Sequence, residues 1–173
     1  MEYKNRKTPR LYAHDYLDGY YFVTICVKDR KECLGKIVNN KMILNKLGKI
    51  AERQWLWLEK NFKYVRLGRY IVMPNHLHGI IVIDRLNTGD VVRTGLDLSL
   101  QYKILPLSNI IGAFKTTSSK LIHGLGFKDF NWQRSFYDRI LRNEKGLENA
   151  NNYILNNPLN WEQDRNNLEN LLM

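Results

Sequence analysis

The stretch Tyr70–Ile83 reads Tyr-Ile-Val-Met-Pro-Asn-His-Leu-His-Gly-Ile-Ile-Val-Ile. Apolar and β-branched residues flank two histidines separated by one leucine, and Pro74-Asn75 interrupts the run. The pattern predicts a strand over Val65–Met73, a tight turn, and a second strand over His76–Ile83. Side chains alternate along a strand, so His76 and His78 share one face and Leu77 takes the other. Two imidazoles on one face of a stiff strand are half of a metal site. The same pair also occurs as ordinary structural polar residues, and the motif by itself leaves both readings open. Two of the four histidines of the chain fall at this spacing.

Working outward, 173 residues suffice for one domain with a real core. A hydrophobic content of 44% and a charged content of 25% are ordinary for a soluble globular protein. The net charge of +10 is not, and it favours a polyanionic partner, most simply nucleic acid. No apolar run reaches transmembrane length and no signal-peptide pattern opens the chain, so no membrane association is expected. Cys26 and Cys33 match neither a zinc-knuckle spacing nor a disulfide framework. They read as reduced thiols of a cytoplasmic protein.

Residues 1–19 form a basic arm carrying Lys4, Arg6, Lys7 and Arg10, and residues 20–173 a single domain. Tyr20–Lys28 is nearly free of polar residues and predicts a central strand covered on both faces. Gly35–Leu44 predicts a hairpin with Asn39-Asn40 at its tip. Asn45 offers a helix cap, followed at helical spacing by Leu47, Ile50, Ala51, Gln54, Trp55 and Leu58. Residues 84–103 read as a long surface loop. Leu107–Ile122 is helical in pattern, with the polar run Lys115-Thr-Thr-Ser-Ser-Lys120 suited either to phosphate contact or to a solvated face. A short helix to Leu141, carrying Arg139 and Arg142, is expected after Trp132-Gln-Arg. The order β, β-hairpin, α, β, β, α, α, α implies an α+β fold, an antiparallel sheet with helices on its faces.

Asn143 caps a last helix running to about Asn157, where Pro158 stops it. Leu147, Ala150 and Ile154 form its buried stripe, and Tyr153 and Asn157 lie one turn apart beside that stripe. A metal held by His76, His78 and the Asn157 side-chain oxygen keeps open positions for the oxygens of a scissile phosphate. Tyr153 then stands near the phosphorus. A phenol with a pKa of about 10 is a weak nucleophile and needs such a Lewis acid, a base, or a positive field.

His76-Leu77-His78 resembles the His-hydrophobic-His signature of the HUH endonucleases. With it, Met73-Pro-Asn-His-Leu-His-Gly-Ile80, Trp132-Gln-Arg134, Ile140-Leu-Arg-Asn-Glu144 and Tyr153-Ile-Leu-Asn-Asn-Pro158 resemble the REP-associated tyrosine transposases, a branch of the single-tyrosine, insertion-sequence-200-like family. The resemblance runs from Tyr20 to about Asp164. It implies a ferredoxin-like HUH fold, with a central antiparallel sheet of four to five strands. It implies metal ligands at His76 and His78 and the catalytic nucleophile at Tyr153. The third ligand falls on Asn157, where some relatives carry a longer glutamine. The implied activity is nicking and rejoining of single-stranded DNA at hairpins of palindromic repeats, through a covalent 5′-phosphotyrosine that leaves a free 3′-OH. Mg²⁺ or Mn²⁺ is the implied metal, whereas ligand softness alone points to Zn, Mn or another transition metal. A monomer or homodimer, cytoplasmic and nucleoid-associated when bound to DNA, completes the expectation.

Tyr137 is the rival nucleophile, beside Arg134 and Arg139 but with Leu141 rather than a ligand one turn on. Arg10, Lys115, Lys120, Trp132, Arg134 and Arg139 are the candidate nucleic-acid contacts; Trp132 and Phe136 serve either as base-stacking platforms or as core aromatics. A non-catalytic hairpin-binding protein derived from such an enzyme is the alternative function, and a small metal-dependent hydrolase a third.

Overall fold

Pro74 and Asn75 do break the apolar run, and the Met73 N–H donates to the His76 carbonyl (2.7 Å) to close the turn between two antiparallel strands. The computed structural model describes residues 16–84 and 104–164. Arg10, most of the basic arm and nearly all of the expected surface loop therefore lie outside the described residues. Among the described residues the elements are β1 (Gly19–Cys26), β2 (Gly35–Val38), β3 (Lys41–Leu44), α1 (Lys46–Asn61), β4 (Val65–Val72), β5 (His76–Ile83), α2 (Leu107–Gly124), β6 (Tyr137–Leu141) and α3 (Glu144–Asn156). Four strands form one antiparallel sheet in the order β4-β5-β1-β6, and β2 and β3 form a separate hairpin. This is the expected α+β architecture, with helices on both faces.

Local chemistry accounts for most of it. The hairpin turns at Asn39 (φ 49°) and Asn40 (φ 58°), in the left-handed region that asparagine tolerates and a tight hairpin requires. The Asn45 side chain accepts from the N–H groups of Leu47 (2.9 Å) and Gly48 (3.0 Å), a cap contributing about 1 kcal/mol. Helix α1 buries Leu47, Ile50, Ala51, Gln54, Trp55 and Leu58, as its spacing predicts. Together with α2 it covers one sheet face, where Tyr21, Val23, Ile25, Leu77 and Ile81 meet Trp55, Ile110 and Phe114. Gly79 allows the closest of these approaches, because a Cβ there would lie 2.3 Å from Trp55 Cζ2.

Helix α3 packs on the opposite face. Ala150, Ile154 and Leu147 meet Ile80, Leu141, Phe22 and Ile71 there. The alternation of β5 therefore aims Leu77 at α1 and α2, and His76 and His78 at the α3 side.

One expected element is wrong. Residues 137–141 are not a short helix but the edge strand β6, which pairs with β1 from Tyr20↔Leu141 to Thr24↔Tyr137. Pairing satisfies the open edge of β1, and a strand edge more than a hundred residues away in sequence leaves no local signature. The five residues are also too few to be a stable helix on their own. No helix among the described residues is long and apolar enough to cross a membrane.

Candidate metal and tyrosine site

The two imidazoles of β5 are buried, with ring centroids 4.4 Å apart. Each is oriented through its Nδ1. His76 Nδ1 lies 2.8 Å from Asn75 Oδ1, and Asn75 Nδ2 donates to the Arg30 carbonyl (3.0 Å). The second contact turns the carboxamide oxygen towards His76, so Nδ1 carries the proton and Nε2 presents its lone pair. His78 Nδ1 lies 2.8 Å from Thr24 Oγ1, its neighbour across the β1–β5 ladder. Phe22, two residues before Thr24 on the same face, stacks on the His78 ring at 5.3 Å. Ring orientation by the distal nitrogen is how metal-binding histidines are usually held.

Tyr153 arrives from α3. Its hydroxyl is 3.5 Å from His78 Nε2, the outer limit of a hydrogen bond, and its ring meets His78 edge-on at 5.1 Å. Phe22 holds the tyrosine ring from the side. The phenol is 42% exposed, so it faces both the imidazole and solvent. One turn on, Asn157 is buried; its Nδ2 donates to Asp164 Oδ2 (3.1 Å), and its Oδ1 is buried with no hydrogen-bond partner among the described residues.

Asp164 is the group that sequence reasoning missed. After Pro158 the chain makes a 3₁₀ turn at Trp161–Gln163, and Trp161 stacks on His76 at 6.0 Å. This return brings the Asp164 carboxylate to the imidazoles: one donor atom each from His76, His78 and Asp164 lie within 4.8 Å of one another, and all three residues are buried. No periodicity extends past the helix stop, so nothing local marks this aspartate. Asn75 was legible only as a turn residue, although its place directly before a histidine is what lets it hold Nδ1.

The donor set fits a divalent cation: two imidazole nitrogens and a carboxylate, and beside that carboxylate Asn157, whose carboxamide oxygen has no hydrogen-bond partner among the described residues. Beside it opens a groove of about 940 Å³, walled by Phe22, Thr24, Tyr137, Arg139, Asn149 and Tyr153. Tyr137 is thus not a helical residue but an exposed one on β6, opposite Thr24, on the far wall of that groove. Arg139, opposite Phe22, is exposed on the same wall.

The other candidate contacts fall elsewhere. Arg134 and Lys120 are exposed and border a separate open groove with Thr116, Ser119 and Asn131. Two of them have protein partners. Lys115 turns its ammonium onto the carbonyls of Gln133 (2.8 Å), Ser135 (3.0 Å) and Arg134 (3.4 Å), so its charge fastens the loop before β6. Trp132 is a core aromatic: it is buried against Phe114 and Phe130, and its Nε1 donates to Ser118 Oγ (2.9 Å). A base cannot stack on a ring already enclosed on both sides. Phe136 is buried as well.

No family model matches the chain. A protein of Haemophilus influenzae (strain ATCC 51907 / DSM 11121 / KW20 / Rd), described only as uncharacterized, is 37% identical over 170 residues, spanning 93% of this chain and 92% of that one. Among solved structures, a REP-associated tyrosine transposase bound to a REP hairpin superposes with a TM-score of 0.58 at 19% identity, over 90% of this chain and 76% of the other. The chain belongs to one family with the Haemophilus influenzae protein, and its fold is that of the REP-associated tyrosine transposase.

Proposed function

We propose that this protein nicks and rejoins single-stranded DNA at hairpins, using Tyr153 as nucleophile beside a divalent cation held by His76, His78 and Asn157. The observation that carries the reading is the 3.5 Å approach of the Tyr153 hydroxyl to His78 Nε2, from the helix whose C-terminus Asn157 caps. The net charge of +10 and the hairpin-bound state of the structural relative support DNA as the partner. Imidazole with oxygen donors suits Mn²⁺ better than Mg²⁺, which prefers oxygen alone.

A bound cation would supply Lewis-acid polarisation of the phosphate. The protein's own residues do the rest. Asn75 and Thr24 hold the imidazoles, Phe22 and His78 hold the Tyr153 ring, and Arg139 on the groove wall offers charge to the DNA backbone. The Tyr153 oxygen forms a bond to phosphorus as the bond from phosphorus to the 3′ oxygen breaks. The phenol gives up its proton and the departing 3′ oxygen takes one up. The products are a 5′-phosphotyrosine and a free 3′-OH, and the reverse attack by a 3′-OH rejoins the strand without an external energy source.

Tyr153→Phe removes only the hydroxyl from an exposed position. The variant is expected to bind hairpin oligonucleotides as the wild type does and to form no SDS-resistant adduct. An adduct that persists in this variant refutes the assignment of Tyr153.

A further inference from the structure

We infer that Asp164 is a direct ligand of the cation, so that the centre is a two-histidine, one-carboxylate set closed by the segment that follows α3. This rests on the reading above that His76 and His78 hold a divalent ion. Nitrogen and oxygen donors sit about 2.1 Å from such an ion, so donors at neighbouring tetrahedral positions lie about 3.4 Å apart. The His76, His78 and Asp164 donors already lie within 4.8 Å of one another, so the set closes with side-chain movements of about 1.4 Å or less.

Burial argues the same way. It limits the solvent that could replace a bound ion: Asp164 is 8% exposed, and both imidazoles are buried. The segment is also held in place for the task. Trp161 stacks on His76, and Asn157 Nδ2 fixes the Asp164 carboxylate through Oδ2. Asn157 touches the centre through Nδ2, which orients the acid, and its Oδ1 is buried with no hydrogen-bond partner among the described residues. Two imidazoles and a carboxylate suit Mn²⁺ and Fe²⁺, and the imidazoles rather than the Asp164 oxygen disfavour Mg²⁺.

Calorimetric titration of the full chain with Mn²⁺ tests the assignment, on the wild type, His76→Ala, Asp164→Ala, Asn157→Ala and the Asn157→Ala/Asp164→Ala double variant. Asp164→Ala is expected to weaken binding by more than the ~10–100-fold that removing an outer partner of a ligand costs. It is also expected to weaken binding in the Asn157→Ala background, by less than it does alone because the two side chains are in contact, since a direct ligand keeps its own bond to the ion. Should the loss vanish in that background, Asp164 is only a positioning residue for Asn157 and the inference is wrong. Unchanged affinity in Asp164→Ala overturns it too, while the histidine reading stands if His76→Ala abolishes binding. A wild type that binds no Mn²⁺ overturns both. Asp164→Asn, of the same shape, replaces the alanine variant if that one fails to fold, and the visible spectrum of the Co²⁺-loaded protein must then change with the donor set.

Discussion

Replacing Asn75 with alanine perturbs the centre without touching a ligand. The side chain is fully buried; its Oδ1 lies 2.8 Å from His76 Nδ1, and its Nδ2 donates to the Arg30 carbonyl (3.0 Å). Without Oδ1 the His76 Nδ1–H loses its acceptor in a dry site, at a cost of about 1–3 kcal/mol. The imidazole can escape that cost by moving its proton to Nε2, and an Nε2–H cannot bind a metal. Either route lowers metal affinity, by the ~10–100-fold typical of losing the partner behind a ligating histidine. That range corresponds to about 1.4–2.8 kcal/mol. Titration with Mn²⁺ reads the affinity directly, and urea unfolding without metal reads the structural cost separately. Asn75→Asp restores an acceptor for Nδ1–H and is expected to recover most of the affinity while losing the bond to Arg30. Wild-type affinity in Asn75→Ala, together with lost binding in His76→Ala, would show that something other than Asn75 sets the His76 tautomer.

Three further outcomes are expected. Gly79→Ala places a Cβ 2.3 Å from Trp55 Cζ2, and overpacking of this kind should destabilise the fold by about 1–3 kcal/mol or more in a denaturant melt; unaltered stability would mean that α1 does not pack on β5 as closely as described. Arg139→Gln should reduce the salt dependence of hairpin binding by about one unit of log–log slope, whereas Lys115→Met should leave that slope unchanged, since the Lys115 ammonium is engaged by three carbonyls. Chelation by EDTA should abolish SDS-resistant adduct formation while hairpin binding persists; adduct formed in excess EDTA would exclude a metal-dependent step.

Much of this protein is readable along the chain because its signals are local. Alternation placed His76 and His78 on one face of β5. The side chains of Asn45 and Asn143 cap α1 and α3 where the hydrophobic stripes begin. Asn39-Asn40 turns the β2–β3 hairpin, and the stripe Leu147, Ala150, Ile154 seats α3 on the sheet so that Tyr153 reaches His78. In each case the deciding interactions span four residues or fewer, or follow from a period of 2 or 3.6.

What sequence did not disclose depends on partners far away along the chain. Tyr137–Leu141 is a strand because the edge of β1, more than a hundred residues earlier, is open to it. Lys115 and Trp132 resemble nucleic-acid contacts until packing places the ammonium on the carbonyls of residues 133–135 and the indole against Phe114. Asp164 carries no motif of its own and becomes part of the centre only because the chain doubles back after Pro158 and lays Trp161 on His76. Residue types and spacing determined which groups α3 and β5 present. Which carboxylate joins them was decided by tertiary structure alone, since a charge's role is set by the groups that surround it in space and not by its neighbours in the chain.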